Sequence, residues 1–353
     1  MTTFNSLFGA PGFHLDRPAA LIAALPAVLG FIPEKSLVLV TVDAGELGCV
    51  MRVDLSAQLS NALAQMADVA SSSGPDGAIA VIVDDDGASC RMCLDDHYAL
   101  VEHLTERLDE RDIDLLAAFV VDRLEAGGRW CRVDGHPGSG TIEDPMSSPM
   151  AAAAVLDGRR LYARRAELQE VIATSDAARS EALRAALLQA EHDGDLRPDA
   201  DARGDVEHAL AMARALSGGA VPADGDLARL GCGLTDPRVR DTLYALAVGR
   251  DADRAEALWA MLARTLPEPW RVEALVLLAF SAYARGDGPL AGVSLEAALR
   301  VDERHRMAGM LDQALQSGMR PEQIRELAQT GYRLAKRLGV RLPRRQGPGR
   351  RAG

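Results

Sequence analysis

Aromatic side chains are scarce in this chain of 353 residues, where six Phe, five Tyr and three Trp make up only 4%. Hydrophobic residues still reach 48%, so the core must be aliphatic, built from Ala, Leu and Val. Cysteine is sparse as well. Five thiols (Cys49, Cys90, Cys93, Cys131 and Cys232) over this length exclude a disulfide framework. Long apolar runs are missing: the longest uncharged stretch, Pro18 to Pro33, is interrupted by Pro26 and falls short of the roughly 18–20 apolar residues a membrane-spanning helix needs. No basic segment precedes an apolar run at the N-terminus, so no signal peptide is expected. Basic charge is outweighed, with 39 Lys and Arg against 51 Asp and Glu and a net charge of −12. A general nucleic-acid binder would need a basic face, which this balance disfavours. The expectation is a cytoplasmic protein with reduced thiols, off the membrane.

What is present divides into two halves. The first reads as mixed α/β over residues 1–175. Pro18 opens a helix at a position where its missing N–H costs nothing, Pro26 is expected to kink or restart it, and Gly30 ends it. Residues 36–43 and 48–54 form β-branched strands joined as a hairpin through 44–47. Alternation places Val50, Arg52 and Asp54 on one face of the second strand. A helix is expected over about 56–72, a strand covered on both faces over 78–83, a helix over 95–109, and strands over 113–121 and 129–133. A loop rich in Gly, Pro, Ser and Asp follows over 134–149, then short helices over 150–156 and 163–172. From residue 176 to 340 the pattern is helical throughout, with polar loops at 193–205 and 217–226, and a basic disordered tail is expected over 341–353.

Within the helical half a 34-residue period carries Ala245, Ala257 and Pro269 onto Ala279, Ala291 and Glu303. Small residues at that spacing resemble the tetratricopeptide repeat, with units near 238–305. Ala245, Ala279 and Ala291 are expected where helices approach most closely, and Arg285 is expected to be exposed. A concave face along the first helices would place Asp241, Tyr244, Glu273 and Ser281 against a protein or peptide partner.

Candidate chemistry is thin. Cys90 and Cys93 form a C-x-x-C with His97 nearby, but a second ligand pair for zinc is missing, so two ordinary thiols near a helix start are expected. Asp84, Asp85 and Asp86 follow the buried strand, at the strand end where open α/β sheets bind ligands. Clustered carboxylates suit a divalent cation, yet Asp is also a common turn former. Asp43, Arg52 and Asp54 form a second polar group on the hairpin, read mainly as an edge ion pair. His136, Asp144, Ser147 and Ser148 lie in the long loop, which reads as a solvated cover. Arg341, Arg344, Arg345, Arg350 and Arg351 make the tail basic, as a solvated terminus is. No nucleophile elbow, metalloprotease, Walker or dinucleotide motif is found. No catalytic, cofactor-binding or metal-ligating residue is assigned.

The segment from Arg17 to Val40, with Pro18, the Leu29-Gly30-Phe31 turn, Pro33 and Ser36-Leu37-Val38, resembles the opening of the actinobacterial family called domain of unknown function 4192. The strand Met51–Leu55, the Arg129-Trp130 strand, the region from Ser148-Pro149 through Gly158-Arg159 to Arg165–Leu168, and the helical part around Leu278–Leu299 look similar as well. Ala19-Ala20 and Ala27 depart from the pattern. The resemblance implies a fold grouping and no catalytic residues. Two functions remain open: a non-enzymatic protein- or ligand-binding module, and a small-molecule or divalent-metal-dependent enzyme using Asp84–Asp86 with Arg52 or Asp54. They are separated by whether these acids converge or scatter.

Overall fold

The computed structural model describes residues 2–5, 17–56, 59–72, 74–87, 91–156, 159–192, 197–317 and 319–345. The chain forms two compact units, Met1–Leu168 with Gln313–Met319, and Gln169–Asp312 with Arg320–Gly353.

In the first unit the described strands are β1 (Thr2–Asn5), β2 (Ser36–Asp43), β3 (Glu46–Asp54), β4 (Gly77–Val83), β5 (Leu115–Val121), β6 (Arg129–Arg132) and β7 (Ser139–Thr141). They make one mixed sheet in the order β1-β3-β2-β4-β5-β6-β7. Only β4 and β5 pair in parallel; the other neighbours are antiparallel. β2 and β3 are joined by Ala44 and Gly45, at φ 51° and 78°. Two central residues at positive φ match the twist of a two-residue hairpin. β7 lies inside the stretch expected as loop, a three-residue edge strand held only by β6.

The helices of this unit are α1 (Pro18–Leu29), α2 (Leu59–Ser71), α3 (Arg91–Asp109), α4 (Pro149–Leu156) and α5 (Arg165–Glu170). Strand alternation divides the core. Leu37, Leu39, Met51, Ala80, Ile82 and Val120 pack in one cluster with Leu63 and Met66 of α2 and Leu104 and Leu108 of α3. Ser36, Val38, Val40, Val50, Ile79, Val81, Phe119 and Val121 point the other way by the period of two and are equally buried. α1 is apolar all round, with Leu21 through Leu29 buried, as a helix covered on every side must be. It runs through Pro26 and ends at Gly30, whose φ of 74° is the left-handed cap that glycine supplies.

The second unit is helical: α6 (Ala177–His192), α7 (Asp199–Ser217), α8 (Asp224–Thr235), α9 (Pro237–Leu243), α10 (Ala252–Thr265), α11 (Arg271–Arg285) and α12 (Gly288–Val301), then α13 (Arg306–Gln316), whose residues from Gln313 on are counted with the first unit, and α14 (Pro321–Leu338). Residues 193–196 lie outside the described ones; from residue 199 onward α7 corrects the loop expected over 193–205. Its first turn carries Asp199 and Asp201, acids that favour a helix N-terminus and give it a polar, loop-like composition. Residues 341–345, expected in a disordered tail, are also corrected. Tyr332 donates to the Pro343 carbonyl at 3.0 Å, Arg250 N–H to Arg344 at 3.1 Å, and Gly249 bridges Arg345. Arg350 and Arg351 lie outside the described residues.

α11 is the centre of this unit. It is buried from Val272 through Ala284 save Glu273 and packs against α8, α9, α10, α12, α14 and the 3₁₀ turn Tyr244–Val248. Ala245, Ala279 and Ala291 are buried. Arg285 is not the exposed residue expected of it. Its guanidinium donates to Glu256 at 2.8 and 2.9 Å and to Asp287 at 2.8 Å. No helix among the described residues is long and apolar enough to cross a membrane.

Candidate functional site at the carboxyl edge of the sheet

Because β2 runs against both of its neighbours, β3 and β4 share a direction, and β5 shares it with them. Three strands therefore finish at one edge. The register sets Asp54 opposite Ser36, Ser36 opposite Val83, and Val83 opposite Val121. Asp84 and Asp122 follow immediately, so Asp54, Asp84 and Asp122 stand in one row of strand ends.

Beyond β4 the chain turns tightly, with Gly87 N–H donating to the Asp84 carbonyl at 2.9 Å. The turn brings carboxylate oxygens of Asp84, Asp85 and Asp86 within 4.8 Å of one another. Asp84 points to α3, where its Oδ2 lies 3.0 Å from Nε2 of the buried His97. A side chain at Gly87 would collide with that imidazole, since a Cβ there stands 2.6 Å from Nε2. Asp85 lies 3.7 Å from Lys35 Nζ. Asp122 is buried and accepts from Arg129 N–H at 2.7 Å and from its Nε at 3.3 Å, with Arg123 at 3.5 Å.

On the other face of the sheet Arg52 is 7% exposed. Its Nε donates to Ser36 Oγ at 2.8 Å, and Nη2 reaches the Glu34 carbonyl at 3.4 Å and the Asp54 carboxylate. The guanidinium carbon lies 5.8 Å from the centroid of the Phe31 ring, a cation–π distance. Burial presses the Arg52 guanidinium below its ordinary value; Asp54 favours its charge and the like charge of Arg165 opposes it.

His97 is thus turned to Asp84. Cys93 is half-buried on α3, and Cys90 lies outside the described residues. In the loop after β6, Asp134 binds Arg132 and the N–H groups of Ala118 and His136. Asp144 caps the turn Pro145–Ser147 through Met146 N–H, and Ser148 caps α4 through Ala151 N–H. These groups hold backbone in place.

The four residues expected on a partner-binding face of the helical unit are placed differently. Tyr244 and Ser281 are buried, and the Tyr244 ring lies 4.7 Å from that of Phe280. Burial pushes the Tyr244 phenol above its ordinary value. Glu273 is engaged by Arg240 at 3.1 Å and by His305 Nε2 at 3.3 Å, and Asp241 accepts from Arg240 at 2.9 Å. Because His305 Nδ1 accepts from Ala308 N–H at 3.1 Å, the imidazole proton sits on Nε2, facing Glu273. Packing against α11 covers the face because its apolar surface continues all round the helix.

The sequence model of the family described as Domain of unknown function (DUF4192) matches residues 18–322. The chain belongs to this family. No curated protein and no solved structure matches it. The match begins at the first residue of α1 and takes in β2 through β7, so the carboxyl edge falls within what defines the family.

Proposed function

We propose that the chain is a binding protein whose small polar ligand docks at the carboxyl edge of the sheet. One observation carries this reading: β3, β4 and β5 end side by side in Asp54, Asp84 and Asp122, with Lys35, Arg52, Asp85 and Asp86 on the same edge. Open α/β sheets take ligands beyond the carboxyl ends of their strands, where loops diverge and leave a crevice. A rim with both signs of charge suits a small molecule that is itself charged. The alternative, an enzyme using Asp84–Asp86 with Arg52 or Asp54, needs a base or nucleophile aimed at a substrate. The engagement of Asp84 by His97 and of Arg52 by Ser36 and Asp54 favours binding over that arrangement.

Burial of Ala245, Ala279 and Ala291 supports tetratricopeptide-like pairing near 238–305, while burial of Tyr244 and Ser281 weighs against a peptide groove there. We place the protein in the cytoplasm, a reading supported by the scarcity of cysteine, five in 353 residues.

The test is equilibrium dialysis of the full chain against amino acids, nucleotides and sugar phosphates, read by mass spectrometry. At least one compound should be retained, and retention should vanish in the double variant Asp85→Asn, Asp86→Asn, whose side chains are exposed. Retention indifferent to that variant, or no retention at all, refutes the reading.

A further inference from the structure

From Leu327 to Gly353 the sequence holds eight basic residues and not one Asp or Glu, although the whole chain carries −12. A net charge averages over such segregation and hides it. The fold fixes much of this basic segment in place. α14 closes at Gly339, whose φ of 73° is left-handed, and Val340 N–H donates to the Ala335 carbonyl at 2.9 Å. The chain then doubles back along the helix. The Tyr332 hydroxyl donates to the Pro343 carbonyl at 3.0 Å, and Arg250 N–H to the Arg344 carbonyl at 3.1 Å. Held backbone therefore carries Arg341, Arg344 and Arg345 beside the last turns of α14. There Arg333, Lys336 and Arg337 stand at the i, i+3 and i+4 spacing that shares one helix face. Arg250 joins them from the turn before α10, and the Arg203 guanidinium of α7 lies 3.4 Å from where a Cβ on Gly339 would stand.

Elsewhere in this unit arginines meet acids, as Arg179 does Asp224, Arg238 does Asp236 and Arg285 does Glu256. Here they do not. Of the cations just named, Arg203 has Glu207 at 3.3 Å. Among the described residues the others have no acidic partner, and Arg333 donates instead to Thr330 Oγ1 at 2.9 Å. All are exposed except in their backbone contacts. Like charges held side by side repel, and a polyanion laid across them relieves that repulsion while releasing its own counterions. The surroundings narrow the kind of polyanion. No large apolar side chain is exposed between Gly331 and Arg345 among the described residues. A lasting protein interface has an apolar core, and membrane anchoring adds apolar insertion or a lipid chain to basic charge. A phosphodiester backbone needs neither. It offers about one negative charge per 1.7 Å of a duplex axis, and guanidinium forks match its oxygens.

We propose that the end of α14, with the returning segment 340–345 and Arg250, is a surface for the phosphate backbone of a nucleic acid, read without regard to sequence. This surface is independent of the ligand at the carboxyl edge of the sheet.

Fluorescence anisotropy tests it, with the full chain titrated onto a labelled DNA duplex of about 20 base pairs and a single-stranded RNA of equal length over a salt series. At low salt at least one should bind saturably, and two unrelated sequences should bind alike. About five phosphate contacts on a duplex give a slope of log affinity against log salt near about −4.5. The variant Arg333→Gln, Arg337→Gln, Arg341→Gln, changed only at exposed positions, should bind at least tenfold more weakly and flatten that slope by about 3. Arg107→Gln, Arg164→Gln, Arg300→Gln removes the same charge from exposed positions elsewhere and should leave affinity and slope nearly unchanged. If the first variant melts early, Lys336→Gln with Arg344→Gln takes its place. Three results overturn the proposal: no saturable binding to either nucleic acid, equal weakening by the two triple variants, or poly-glutamate or phosphatidylserine vesicles binding as tightly as nucleic acid.

Discussion

Gly331 sits mid-way along α14, where the helix crosses the turn Tyr244–Val248. Replacing it with alanine sets two effects against each other. Alanine favours a helix interior over glycine by about 1 kcal/mol. At this position, however, the new Cβ would stand 2.8 Å from the Thr242 carbonyl oxygen and 2.9 Å from both Cβ and N of Ala245. Two of those atoms are backbone and the third is a β-carbon, so no flexible side chain swings aside. Overpacking typically costs about 1–3 kcal/mol, and with rigid neighbours the upper part of that range applies. The net expectation is a loss of about 1–2 kcal/mol after the propensity gain is subtracted. Gly309 in α13 is the control. It is exposed, and a Cβ there meets nothing within 4 Å, so the same substitution should stabilise by roughly 0.5–1 kcal/mol. At about 2–4 °C per kcal/mol for a unit of this size, Gly331→Ala should melt roughly 2–8 °C lower and Gly309→Ala a few degrees higher. Thermal melts followed by circular dichroism read both. A Gly331→Ala protein as stable as the parent would refute the close approach of α14 to the turn.

Burial pushes the Asp134 carboxyl up, but Arg132 and the N–H groups of Ala118 and His136 pull it further down, so it ionises below its ordinary value. A depressed folded-state value adds stability that is complete above the unfolded value of about 3.9 and disappears as pH falls through the folded one. The melting-temperature gap between parent and Asp134→Asn should therefore hold from pH 7 to 5 and close below pH 4; a gap unchanged at pH 2 contradicts this. The thiol of Cys49 is pushed up to about 12 by burial, so iodoacetamide at pH 8 should leave it unmodified in the native protein and label it in urea, as peptide mass spectrometry will show. Ala279→Leu adds bulk to a fully buried point of α11 and should cost about 1–3 kcal/mol in urea unfolding. Arg285→Leu should cost on the order of 3 kcal/mol, because it strands the Glu256 and Asp287 carboxylates; a cost near zero would return Arg285 to the surface.

The sheet was legible wherever one physical signal dominated. The residues of β4 are apolar throughout and buried throughout, the pattern of a strand covered on both faces. The alternation in β3 put Arg52 and Asp54 on one face, where they pair. Legibility failed where composition imitates another state, as in the acidic first turn of α7, or where one partner strand does the holding, as in β7. The site was harder to read for a different reason. Asp84 and His97 lie thirteen residues apart on different elements, and each has eye-catching neighbours, Asp85 and Asp86 for one and Cys93 for the other. Local spacing attached each residue to those neighbours rather than to its true contact.

The rim depends on something further, the order of strands. Had β2 paired with β4 in parallel, Ser36 and Asp84 would lie at opposite ends of the sheet, and Arg52 would share no edge with Asp85. Antiparallel pairing on both sides of β2 makes the start of one strand coincide with the ends of its two neighbours. A single sequence does not reveal that choice, because the residues of β2 are buried on both faces from Ser36 to Val42 in either case. The same holds for Arg52 itself. Periodicity gives its face, but its burial depends on Phe31, which α1 delivers through the left-handed turn at Gly30. An arginine in an edge-proximal strand is ordinarily solvated; here a helix ending seven residues before β2 delivers Phe31 over it, and that cover turns a surface cation into a buried one.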